Sequence, residues 1–73
     1  MTLKEAVRGV LEAHGGALTA EEICRQIERQ GLFTKGDGTS PDPSYLLLRI
    51  KFYSDDFELR IAGPTLNIAP ILS

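Results

Sequence analysis

Two Thr-x-x-Glu boxes, Thr2 with Glu5 and Thr19 with Glu22, constrain this chain more tightly than any other feature. In such a box the hydroxyl accepts one orphan amide at a helix start and the carboxylate reaches back to another, so each box starts a helix at a defined residue. After the first, Leu3, Ala6, Val7, Val10 and Leu11 recur on one helical face until His14-Gly15-Gly16 stops the run. After the second, Ile23, Cys24 and Ile27 form the apolar stripe, and Leu18 before the box with Ile23 inside it suits a hydrophobic staple. Gly31 ends this helix, with Ile27 and Leu32 spaced for the apolar contact that accompanies a glycine cap. The chain therefore opens with two helices of roughly three turns each, joined by a short glycine link.

The segment "SPDPSYLLLRIKFYSDDF", residues 40–57, predicts a third helix. Either Ser40 caps it with Pro41 as first helical residue, or Asp42 caps it with Pro43 first. Proline disfavours a helical residue before it, which favours Asp42. At 100° per residue, Leu46, Leu47, Ile50 and Tyr53 share one side, while Tyr45, Leu48 and Phe52 fall opposite with Ser44 and Lys51 beside them. Between helices two and three, "TKGDGTS" reads as a flexible connector. Beyond Phe57, "ELRIA" and "TLNIA" alternate around "GP" as a short hairpin. The expected core joins Leu11, Ile23, Ile27, Leu46, Ile50 and Phe57, closed from the hairpin by Leu59, Ile61 or Ile68.

With 73 residues and one cysteine, the chain holds neither an internal disulfide nor a zinc-binding Cys/His cluster, so packing alone must sustain one small domain. That domain is expected over residues 1–70, with 71–73 a tail or the start of a linker to a longer protein. A net charge of −2 argues against coating nucleic acid by bulk charge and leaves room for a local basic patch. No apolar run approaches the roughly 20 residues of a membrane span, and "MTLKEAV" lacks the pattern of a signal peptide. A reducing, cytoplasmic setting is expected, or the nucleoid or nucleus if the chain is bound to DNA.

Helix, helix, loop, helix, hairpin is the order of a winged helix-turn-helix, and the expected fold class is mainly α with a short C-terminal β-hairpin wing. In detail the chain resembles the HARE-HTH domain. The resemblance rests on "LTAEEI", the Gly31-Leu32 helix end, the proline entering helix three, Arg49-Ile50, and Phe57 ahead of the wing. It runs from about Leu3 to Ile68. The family occurs in bacterial restriction enzymes, the RNA polymerase delta subunit and Asx-like chromatin proteins. The resemblance implies a DNA-associated module that links modified or chromatin DNA to attached effector domains. Winged helices also serve as protein-binding modules, which keeps the partner open.

A DNA reader lays its third helix in the major groove and takes backbone contacts from basic residues nearby. The candidates are Lys35, Ser44, Arg49, Lys51 and Arg60, together with Ser40 and the helix-start amides as a phosphate site. Residues 32–73 hold four basic side chains, Lys35, Arg49, Lys51 and Arg60, against Asp37, Asp42, Asp55, Asp56 and Glu58. Such a supply supports only weak, salt-sensitive binding to duplex DNA. The alternative is that these charges merely solvate exposed faces. Tyr45, Leu48 and Phe52 form a candidate protein-interaction patch, for another copy of the chain or for a neighbouring domain, unless the loop around Phe33 or the C-terminal "PILS" covers them. His14 suits a helix C-terminus, Cys24 a core position, and Asp55 and Asp56 the end of helix three. "TKGDGTS" lacks the GK[ST] ending of a phosphate-binding loop. No catalytic group, metal site or cofactor is expected, and an enzyme is the weakest class. The three readings are a weak DNA-binding module supporting a transcription or restriction–modification machine, an adaptor working through helix three, and a purely structural domain without ligand.

Overall fold

The first capping box closes as the sequence requires. In the computed structural model, which describes residues 2–71, the Glu5 amide donates to the Thr2 hydroxyl at 3.2 Å and the Glu5 carboxylate accepts from the Thr2 amide at 3.4 Å. Helix α1 (Leu3–His14) follows and buries Leu3, Ala6, Val7, Val10 and Leu11. The second box closes by half. Thr19 accepts from the Glu22 amide at 3.2 Å and starts α2 (Ala20–Gln30), whereas the Glu22 carboxylate turns outward to Arg25 and Gln26. Thr19 has a second duty, because Leu18–Thr19 form a short strand, β1. At the far end, Gly31 sits at φ 63°, in the left-handed region that glycine occupies without a Cβ penalty. Its amide reaches the Glu28 carbonyl, and the Leu32 amide reaches the Ile27 carbonyl. These two bonds make a Schellman cap, with Leu32 packed against the core as expected.

Helix α3 (Pro43–Ile50) starts at Asp42, whose carboxylate accepts from the Tyr45 amide at 2.7 Å. The backbone then tightens into a 3₁₀ turn over Lys51–Tyr53. Asp55 and Asp56 do not end this helix. Instead, Asp56 accepts from Lys4 at 2.9 Å and Arg8 at 2.8 Å, both on α1, and so ties the start of the wing to the first helix.

The wing is β2 (Phe57–Ala62) and β3 (Thr65–Pro70), joined by Gly63-Pro64. A two-residue hairpin needs a positive φ at its first turn position, and Gly63 supplies it at 62°. Strand β3 also pairs with β1, Leu18 opposite Ile68 and Thr19 opposite Asn67, giving an antiparallel sheet in the order β1-β3-β2. The expected mainly-α class is thus corrected to mixed α/β, with three helices and three strands. Leu18 and Thr19 do not announce this strand, because a two-residue strand carries no alternation to read. Of the "PILS" end, Pro70 closes β3 and the Ile71 amide donates to the Asp56 carbonyl at 2.9 Å, while residues 72 and 73 lie outside the described residues.

The core gathers Val7, Leu11, Ile23, Ile27, Leu46, Ile50, Phe57 and Ile68. All six residues expected at its centre are buried, and Ile68 is the one that closes it from the wing. Leu59 and Ile61 do not, since β2 leaves the body of the domain beyond Phe57. Truncating Ile27 or Ile50 to alanine removes side chains that are 0% and 2% exposed. Each change is expected to cost about 2–5 kcal/mol in denaturant unfolding. A variant with the parent's midpoint would show that the residue is not in the core.

Candidate nucleic-acid interface

Two buried residues, Leu46 and Ile50, seat α3 on the core and leave its other face outward. On that face Ser44, Arg49 and Lys51 are exposed, as are Leu48 at 55% and Phe52 at 74%. Tyr45 does not join them. It is half-buried against the core, and its ring lies between two cations, with Lys35 Nζ 5.3 Å and Arg49 Cζ 5.0 Å from the ring centroid. The expected three-residue patch is therefore corrected to Leu48 and Phe52. Tyr45 departs from the helical-wheel reading because its long ring reaches sideways to the loop before α3. The Arg49 contact was legible as an i,i+4 pair. The Lys35 contact depends on the loop and carried no sequence signal.

That loop is a closed turn rather than a flexible connector. The Lys35 amide donates to the Thr39 carbonyl at 2.8 Å and the Gly38 amide to the Lys35 carbonyl at 2.9 Å. Asp37 accepts from both the hydroxyl and the amide of Thr39 at 2.6 and 3.0 Å, and these bonds hold its carboxyl below the usual carboxylate range. The turn fixes the backbone that carries Lys35.

Charge pairing separates the basic residues. Lys4 and Arg8 bond Asp56, Arg25 bonds Glu22, and Arg60 bonds Glu58 on the wing. Among the described residues, Arg29, Lys35, Arg49 and Lys51 have no carboxylate within ion-pair distance. Three of these four cations lie on α3, its 3₁₀ extension and the preceding turn. The structure brings together Lys35, Tyr45 and Arg49, and it leaves Arg60 engaged elsewhere. Ser40 is half-buried next to buried Pro41. The helix start beside it is already capped by Asp42, and the adjoining groove carries Glu21 and Glu28. A phosphate there would meet three carboxylates, which argues against the anion site expected at Ser40.

The remaining candidates resolve simply. His14 is exposed at the end of α1 beside a shallow groove shared with Glu22 and Gln26. No cluster of His, Cys, Asp and Glu among the described residues is placed to hold a metal. No helix among them is long and apolar enough to cross a membrane.

Three helices, a hairpin wing and a third helix seated by one face with the other outward define a winged helix-like, helix-turn-helix domain, the class that docks DNA. Its link between α2 and α3, residues 31–42, is longer than the 3–4 residues usual for a helix-turn-helix. A family model, HARE-HTH, described as a helix-turn-helix domain of ASXL proteins and restriction endonucleases, matches residues 1–45. The chain belongs to this family, whose members are helix-turn-helix modules of the DNA-binding kind. The match spans α1, β1, α2 and the start of α3, so the wing is characterised by the structure alone. No curated protein and no solved structure matches the chain.

Cys24 is buried in the core, as expected, and gives a pH signature. Burial, with a smaller contribution from the Asp42 charge, pushes its thiol from 9.0 up to about 11. The unfolded thiol ionises first, so this contribution to stability is complete below pH 9.0 and is lost as pH rises towards about 11. The parent should lose stability over that interval in denaturant titrations, and Cys24→Ala should lose less. An identical decline in the two would show that the thiol is not the group responsible.

Proposed function

We propose that this domain docks duplex DNA weakly through the outward face of α3, using Lys35, Arg49 and Lys51 on phosphates and Ser44 towards the groove. The observation that carries the proposal is the concentration of cations without carboxylate partners on α3, its 3₁₀ extension and the preceding turn. Family membership supports the choice of DNA over other polyanions. Arg60 contributes only if it exchanges Glu58 for a phosphate. The module acts by docking and has no chemistry of its own. It serves an intracellular machine of transcription or of restriction and modification, a role suggested by the family's description. Weak affinity follows from the small number of cations, because each phosphate neutralised changes the slope of log K against log salt by about −0.9.

A second reading has its own observation. Leu48 and Phe52 are large apolar side chains left in water on the same helix face, and a base-reading helix usually presents polar groups there. In this reading α3 docks a protein, with the basic residues at the rim of the contact.

One set of measurements separates the two. Binding of a short duplex should be micromolar or weaker at low salt, with a salt slope of about −2 to −4 for two to four phosphates. Lys51→Glu should weaken all sequences alike, since a phosphate contact carries no base information. The double variant Leu48→Lys with Phe52→Ser should keep the fold and retain or strengthen duplex binding. Undetectable binding at low salt, or binding indifferent to Lys35, Arg49 and Lys51, would overturn the DNA reading. Loss of a protein association in the double variant would favour the adaptor.

A further inference from the structure

The wing presents a strand edge that the domain itself leaves unpaired. In the order β1-β3-β2, no strand among the described residues lies beyond β2. The Asp56 carbonyl accepts from the Ile71 amide across the β2–β3 ladder. Antiparallel ladders alternate, so Glu58, Arg60 and Ala62 bond inward to β3, while Phe57, Leu59 and Ile61 turn their amides and carbonyls to the open edge. The side chains add to the exposure. Phe57 is buried, but Leu59 on the same face is 42% exposed and Ile61 is 82% exposed. Natural edge strands are usually blunted by lysine, proline or a bulge. Strand β2 reads Phe-Glu-Leu-Arg-Ile-Ala, with none of the three in its regular pairing with β3.

We propose that two copies of this chain pair antiparallel through β2, about a two-fold axis at Leu59, to form one continuous six-stranded sheet. Charge selects this partner and this register. With Leu59 opposite Leu59, Glu58 of each copy faces Arg60 of the other, and Ile61 of each reaches Phe57 of the other, at the edge of that copy's core. Phe57, Leu59 and Ile61 all present their outward backbone groups in this register, so the edge is satisfied along its length. Moving the axis to Arg60 sets the two guanidinium groups opposite each other, which is destabilising. Moving it to Ile61 leaves Glu58 and Arg60 with no opposing charge. A two-fold contact must be self-complementary, and the spacing of Glu58 and Arg60 about Leu59 provides this. The contact uses a surface other than α3 and is independent of what α3 binds.

Sedimentation of the chain at concentrations up to about 1 mM, a range that detects association at the weak limit of millimolar Kd, tests the proposal. The mass of the parent should rise with concentration towards twice 8.0 kDa. Glu58→Arg alone and Arg60→Glu alone should each remain monomeric, because each sets like charges opposite one another. Mixing the two single variants should restore a dimer, and so should Glu58→Arg with Arg60→Glu in one chain. Both side chains are exposed, so thermal melts of these variants should match the parent's. Ile61→Lys gives a second loss of association that leaves the charge pair intact. A parent monomeric throughout, single variants that dimerise like the parent, or a mixture that stays monomeric would each overturn the proposal.

Discussion

An eight-residue helix does not persist alone in water, because isolated helices shorter than about 12–15 residues are marginal even in favourable sequences. Helix α3 therefore exists because Leu46 and Ile50 are pressed into the core that contains Ile23 and Ile27 of α2. This contact decides more than stability. It fixes the rotation of α3 about its axis, and thereby which side chains are left to meet a partner. Asp42 and Pro43 define where the helix starts, so the buried pair arrives in one register. Everything proposed for the outward face follows from that seating.

Strand β3 does the corresponding work for the wing. Its Ile68 is fully buried and pairs with both Leu18 and Leu59, which joins the turn before α2 to the hairpin after α3. Asp56 adds an electrostatic tie from the opposite side, through Lys4 and Arg8 on α1. These surface pairs contribute modestly to stability, but they hold the base of the hairpin while its tip projects beyond the core. The result is a domain with two differently built surfaces. One is a helix face with cations beside an aromatic ring, and the other is a strand edge with alternating charge.

Most of the helical frame was legible because capping and periodicity are local. Thr2 and Glu5, Gly31 and Leu32, and Asp42 before Pro43 each specify a boundary through bonds within a few residues. The misread parts depend on distant partners. Strand β1 exists only because β3 passes beside it. Tyr45 leaves the apolar patch because Lys35 arrives from a turn closed by Asp37 and Thr39. The exposure of Leu59 and Ile61 reflects where β2 leaves the body of the domain, which alternation alone does not encode. In the candidate interface the residue types were readable, whereas the sorting into engaged and unengaged cations required the ion pairs. Arg60, alike in sequence to Arg49, is distinguished by Glu58 beside it.

The central claim is that α3, seated by Leu46 and Ile50, presents the surface that meets DNA. Backbone amide shifts recorded by NMR during titration with a short duplex at low salt test it residue by residue. The account predicts shifts concentrated at Lys35 and across residues 44–52, with β2 at Glu58 and Arg60 little changed. Shifts centred on the wing or on α1, with α3 silent, would contradict it.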